Sequence, residues 1–333
     1  MRLTVLLVLV ATLLLHAHAE EAEAPKKSAA TQAHDDNPVI QTVRGLRNTA
    51  MRSNDQKNYP HAIDDLREAL TLMHDRVFGA TRATITDSTE QSLDAALYAQ
   101  LLNDYGSVLT RAKDYDEAID VLEDAVEMIK RVFGKSHPSY GLALRSLAEA
   151  HFAKENYETA IEKYKLLRKQ AKLGLGTTHE GYVEVHLRMS QAYQKMGDMK
   201  KAVKVLKKVL KDQGDDVNGA TQGIGEVYMD LASLQTKNRE LDDAERAGEA
   251  ARAIMKLRDG ENSVTHAFSL NTLAGVKMAQ NKVAEAYELL KQAHWIAIKV
   301  FGRKHKMVEA SQKTLDQVKQ RLEDEKKRDF DEL

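Results

Sequence analysis

The chain has 333 residues, of which 30% are charged, 5% are aromatic and none is cysteine. With 49 basic against 50 acidic side chains it has no net field to draw in nucleic acid or an anionic membrane, and without a thiol it can use neither disulfides nor cysteine chemistry. Scarce aromatics, and proline confined to Pro25, Pro38, Pro60 and Pro138, argue against a strand-rich fold and for exposed amphipathic helices.

Residues 1–19 read as a secretory signal peptide. Arg2 is the positive start, Leu3 to Leu15 is almost wholly apolar, and Ala17-His18-Ala19 is a small-x-small cleavage site before Glu20. The apolar run is shorter than the roughly 20 residues a spanning helix needs, so no stable membrane insertion is expected once it is removed. Residues 20–37 are rich in Glu, Ala, Lys and Asp without apolar periodicity and are expected to form a disordered leader ending at Asn37-Pro38.

From there helical periodicity dominates, and one register recurs every 42 residues: Tyr115…Ala118-Ile119, Tyr157…Ala160-Ile161, Met199…Ala202-Val203, Leu241…Ala244 and Val283…Ala286-Tyr287. In the first copy Ala118, Ile119, Leu122, Ala125, Val126 and Ile129 follow i, i+3, i+4, i+7 spacing, which draws one apolar stripe on a helix. Asp114 is placed to cap it or to turn into it. Tyr59…Ala62-Ile63 shares the register but precedes Tyr115 by 56 residues, so an insertion about residues 80–95 separates the first two copies. A period of this length predicts an α-solenoid whose units bury their apolar faces only against neighbours, here six repeats over 38–304.

Residues 305–324 carry Val308, Leu315, Val318 and Leu322 among many charges and suit a C-terminal capping helix. The charged tail 325–333 ends Phe330-Asp331-Glu332-Leu333. This resembles the Lys-Asp-Glu-Leu and His-Asp-Glu-Leu retrieval signals of endoplasmic reticulum residents, with Phe330 departing from Lys or His.

The repeats resemble tetratricopeptide repeats, in particular the longer kind of kinesin light chains. The resemblance is carried by the Leu147-Ala148, Leu231-Ala232 and Leu273-Ala274 steps, by the aromatic and alanine pair above, and by links such as Gly134-Lys-Ser-His137-Pro138, Gly176-Thr-Thr-His179 and Gly302-Arg-Lys-His305. It implies an all-α right-handed superhelix of helical hairpins. Small residues at Gly106, Ala148, Ser190, Ala232 and Ala274 would meet the alanines of the partner helix. It also implies a groove lined by first helices, which points to Arg47, Asn103, Arg145, Arg188 and Asn271 as partner-binding residues. An asparagine amide can pair with a peptide backbone and an arginine with a carboxylate.

No catalytic set emerges. His179-Glu180 and His186 do not share a helical face as a zinc-binding His-Glu-x-x-His would, and Gly219-Ala-Thr-Gln-Gly223-Ile-Gly225 has no preceding strand and no Gly-Lys-Ser/Thr. His137, His179 and His305 recur once per link and read as caps, not metal ligands. Lys200, Lys204, Lys208 and Lys211, with Lys201 and Lys207 beside them, read as a solvated outer face, since no aromatics interleave for base stacking. Gly248, where other repeats have Leu122, Tyr164, Leu206 or Leu290, predicts a weak point in the fifth repeat.

Together these observations imply a non-enzymatic adaptor or chaperone accessory of the endoplasmic reticulum lumen. It would bind a protein or peptide, use no cofactor, and be open to a Lys-Asp-Glu-Leu-type retrieval receptor. Two alternatives stand beside it: a lumenal or secreted scaffold self-associating through its end repeats or the Met307–Leu322 helix, and a substrate-presenting subunit of a separate lumenal enzyme.

Overall fold

The computed structural model describes residues 29–79, 88–214 and 223–331. The signal peptide, the leader before residue 29 and the terminal Glu332-Leu333 lie outside the described residues. Among those described there are fourteen α-helices and no strand, an all-α solenoid. No described helix is long and apolar enough to cross a membrane.

The chain divides into two compact units, Met1–Val108 and Leu109–Leu333. The first holds α1 (Ala29–Asp36), α2 (Pro38–Asp55), α3 (Tyr59–Phe78) and α4 (Ser88–Ala112) as far as Val108. The second continues through α5 (Tyr115–Phe133), α6 (Pro138–Ala153), α7 (Tyr157–Gly174), α8 (Glu180–Lys195), α9 (Met199–Gln213), α10 (Ile224–Lys237), α11 (Leu241–Asp259), α12 (Val264–Ala279), α13 (Val283–Phe301) and α14 (Lys306–Asp331).

The expected small residues set the spacing of the hairpins. Ala118, Ala160, Ala202, Ala244 and Ala286 are all fully buried, as are Ala148, Ser190 and Ala232, so paired helix backbones approach closely where a larger side chain would not fit. Gly248 differs from its expected role. A Cβ there would stand 2.9 Å from Leu273 Cδ1, so the neighbouring helix already fills the space of the missing side chain.

Within each hairpin the turn is a Schellman arrangement. The amide of Asn156 donates to His151 O and that of Glu155 to Phe152 O; Glu240 with Arg239, and Lys282 with Asn281, repeat the pattern. The residue at the bend has positive φ in every copy: Lys57, Lys113, Glu155, Arg239 and Asn281 at 61 to 71°, and Gly197 at 79°. Five of the six are L residues in the left-handed region, each carrying about 1–2 kcal/mol of steric cost. Arg239→Gly is therefore expected to stabilise the chain by about 0.5–1 kcal/mol, net of the entropy glycine adds to the unfolded state. Gly197→Lys should do the reverse; a denaturant midpoint moving the other way in either variant would refute this.

Links between hairpins are built from glycine and histidine. Gly134, Gly260 and Gly302 end their helices with φ of 80, 91 and 77° and ψ near 160°, a region closed to other residues. His137, His179 and His305 then cap the next helix, each Nδ1 accepting from the amide two residues on, at 3.2, 3.0 and 3.2 Å. Asp114 precedes α5 without a side-chain cap bond, whereas Asp198 Oδ1 accepts from Lys201 N at 2.9 Å. Gly225, in the glycine-rich stretch, lies inside α10 where a Cβ would press on Met255 Cε at 2.5 Å, so close packing explains it.

Two boundaries, the leader's and the capping helix's, depart from expectation, while the insertion takes the lengthened-helix form that the sequence allows beside a polar loop. The leader ends in α1, held because buried His34 Nε2 lies 3.1 Å from Asp94 Oδ1. Ser88–Ala112 forms a lengthened first helix after the insertion, of which residues 80–87 lie outside the described set. The capping helix does not stop near residue 324: α14 runs to Asp331, with Lys319–Glu323 and Arg321–Glu325 pairs one turn apart along it.

Candidate protein-binding face

The second unit brings Arg145 and Arg188 towards one another on the first helices α6 and α8. Arg145 Nη1 lies 3.5 Å from Glu184 Oε2 on α8, both side chains being more than two-fifths exposed. Arg188 is half-buried and, among the described residues, reaches only Gln191 Oε1 on its own helix, at 3.5 Å. Both guanidiniums thus keep most of their donors for a ligand.

Between these helices Tyr164 rises from α7. It is 1% exposed, at the position where neighbouring repeats have Leu122 and Leu206, so its ring completes the core. Burial raises its hydroxyl above the usual phenol range, Glu149 adding to the rise while Arg145 and Arg188 oppose it. The hydroxyl is therefore a protonated donor at neutral pH, in the field of Glu149, Arg145, Glu184 and Arg188. The sequence presents Tyr164 only as the counterpart of Gly248 in another repeat. The signal that could have found it is a phenol at a site its neighbours fill with leucine.

Asp230, also missed, lies on α10 in the register of Arg188. Burial raises its carboxyl above the ordinary range although Lys237 pulls the other way. One protein surface thus presents basic groups on α6 and α8 and a partly desolvated acid one repeat later.

The remaining predicted residues do not join this cluster. Arg47 belongs to the first unit, where its Nε donates to Asp104 Oδ2 at 2.5 Å; burial raises the Asp104 carboxyl against that pull. Asn103 is beside it, with Oδ1 buried and unpartnered. Asn271 is exposed on α12 at the rim of a small apolar cavity shared with Phe268, Val300 and Met307. Phe330 and Asp331 lie at the end of α14, and Glu332-Leu333 beyond the described residues. No group of three His, Cys, Asp or Glu among the described residues is arranged to hold a metal.

The tetratricopeptide repeat family matches residues 97–172 and 143–215. Among curated proteins the chain is 54% identical to the RxLR effector protein SFI4 of Phytophthora infestans, over 92% of this chain and 90% of the relative. It is likewise 54% identical to the secreted RxLR effector protein RXLR-C07 of Plasmopara halstedii, over 86% and 88%. Among solved structures, the tetratricopeptide-like repeats of a putative kinesin light chain from Podospora anserina match with a TM-score of 0.51 at 22% identity, over 62% of this chain and 97% of that one. This is a likeness of fold. The Arg-x-Leu-Arg pattern spelled in both relatives' names occurs once here, as Arg44-Gly45-Leu46-Arg47. It is folded into α2, Arg44 Nη2 pairing with Asp35 and Arg47 with Asp104, each at 2.5 Å.

Proposed function

This chain belongs to the RxLR effector family of its two relatives, and from that premise we propose that it is a secreted, non-enzymatic effector that binds a protein partner through the first-helix face of its second unit. Secretion agrees with the signal peptide read at residues 1–19 and with the word used of the Plasmopara halstedii relative. Retention in the endoplasmic reticulum lumen draws no support from either relative, and neither does a chaperone-accessory role.

The observation that carries the binding reading is the pair of Arg145 and Arg188, whose donors are largely unspent among the described residues. It fits an extended segment bearing an acidic side chain. The carboxylate would meet Arg188 with Arg145, displacing Arg145 from its long contact with Glu184. Arg47, with its guanidinium committed to Asp104, and Asn271, beside α13 and α14, are secondary candidates.

The test is binding to an array of peptides with and without Asp and Glu. The parent chain should prefer acidic peptides, and an Arg145→Glu/Arg188→Glu variant with an unchanged helical spectrum should lose at least about tenfold in affinity, roughly 1.4 kcal/mol. Equal binding by both chains would reject this face.

A further inference from the structure

Two second helices of the second unit carry opposite charge at the same positions. On α5 the exposed outer row is Asp116, Asp120, Glu123, Asp124 and Glu127; 84 residues, or two repeats, later α9 presents Lys200, Lys204, Lys207, Lys208 and Lys211, equally exposed. The two helices bury the same face, Ala118, Ile119, Leu122 and Ala125 matching Ala202, Val203, Leu206 and Val209, so the rows are geometrically equivalent. Every one of the five positions is inverted in sign. Local partners use part of each row, through Asp116–Lys154, Glu123–Lys163, Glu127–Lys130, Lys207–Asp243 and Lys208–Asp212. Asp120 and Asp124 on one side, and Lys200, Lys204 and Lys211 on the other, have no hydrogen bond or ion pair among the described residues.

The helix between them, α7, reads Glu158, Glu162, Lys165, Leu166 and Lys169 at the corresponding positions, and all five are exposed. Its outer side also holds two bare leucines, Leu166 at 50% and Leu173 at 79% exposure. The order across the layer is therefore acidic, mixed with apolar, and basic.

We propose that this layer is the interface of a two-fold homodimer, the occupant being a second copy of the chain. A two-fold axis running along α7 places α5 of each copy against α9 of the other, parallel and at the same height. Asp116 then faces Lys200 of the second copy, Asp120 faces Lys204, and the remaining three pairs follow. Leu166 and Leu173 meet their own counterparts on the axis. The other in-plane orientation, with the axis across the helices, sets acid on acid and base on base and is excluded by repulsion. This one is isologous, satisfies both charged rows at once, and has the apolar centre and polar rim of a specific interface. An unrelated acidic protein or an anionic lipid surface would use only the lysine row and leave the matching acids and leucines unexplained.

The test is the mass of the signal-free chain by sedimentation equilibrium in low and high salt, with two charge-reversed variants: all five α9 lysines changed to Glu, and the five α5 acids changed to Lys. The parent should dimerise in low salt and dissociate at least about tenfold more readily in 0.5 M salt, where charges are screened beyond a few ångströms. Each variant alone should be monomeric. An equimolar mixture should recover a heterodimer, since both rows are then complementary again, and that recovery also shows that the variants are folded. Leu166→Ser/Leu173→Ser should weaken the dimer without changing its salt dependence. A parent chain monomeric in low salt, a mass that keeps climbing with concentration, variants that dimerise like the parent, or a mixture that stays monomeric would each overturn the two-fold. So would a monomer that instead binds anionic vesicles through α9.

Discussion

Asp94→Asn is expected to destabilise the first unit by about 3–5 kcal/mol, the cost of stripping a buried charge of its partner. Asp94 is completely buried on α4, yet it accepts from His34 on α1 and from Arg76 Nε on α3, both at 3.1 Å, and its second oxygen pairs with Arg76 Nη2 at 3.0 Å. Arg76 is itself 7% exposed and keeps only Glu90, at 2.7 Å, if Asp94 is neutralised. Burial opposes the guanidinium's charge, but the two carboxylates outweigh it and raise its pKa above the ordinary arginine value. One carboxylate thus joins three helices that are far apart in sequence. Removing both ends together, in Arg76→Met/Asp94→Leu, should cost far less than Asp94→Asn alone, because no unpaired charge remains. Hydrogen exchange should show the loss in α1 to α4 while the amides of α10 to α13 keep their protection, since repeats pass stability only to their neighbours. A loss below about 1 kcal/mol, or one spread evenly over the chain, would contradict this account.

The contrast between these residues and the repeat register shows what the sequence can carry. Ala160 or Ala202 can be placed because burial at those positions depends on a helix face and a 42-residue period, both local properties. His137 is legible as a cap for the same reason: its acceptor role is set two residues away. The structure of α1 is not legible in that way. Residues 29–36 show no apolar stripe, and what fixes them is His34 on Asp94, 60 residues distant. The pairing of Arg47 is equally illegible, because its partner Asp104 is 57 residues on. Gly248 looks like a defect until Leu273, from the following helix, is seen to occupy its space. The shift of the Tyr164 hydroxyl is not legible either, since it comes from burial between helices and from charges on α6 and α8. Arg44-Gly45-Leu46-Arg47 carries no structural signal of its own, because on α2 it is ordinary amphipathic helix.

Lowering the pH from about 7 to 4 is expected to cost the second unit about 3 kcal/mol through His186 alone. His186 is completely buried on α8, with Nδ1 donating to Tyr182 O at 2.9 Å and Nε2 facing no partner. Burial pushes its pKa down to about 4; the Tyr182 carbonyl and Asp212 pull upward, and Arg168 and Lys208 add to the fall. The unfolded chain takes up this proton near pH 6.5 while the folded chain refuses it until about 4. The stabilisation is therefore complete above about 6.5 and is lost as pH falls through the folded value. His151, whose pKa burial also lowers and whose ring nitrogens are both unpartnered, adds to the slope in the same direction. Glu245 can be told apart from both: Lys277 and Gln280 hold it down to about 2, so its contribution is present above the carboxylate's ordinary 4.5 and fades only below it. Denaturant unfolding between pH 7.5 and 4 should show the loss, and His186→Met, similar in volume and unable to titrate, should flatten most of it. Because α8 also carries Glu184 and Arg188, the same protonation that loosens its buried face should weaken acidic-peptide binding more steeply in the parent chain than in the variant, where only the peptide's own carboxylates titrate over this range. A slope that survives His186→Met would place the acid sensitivity elsewhere in the unit and separate it from the binding face.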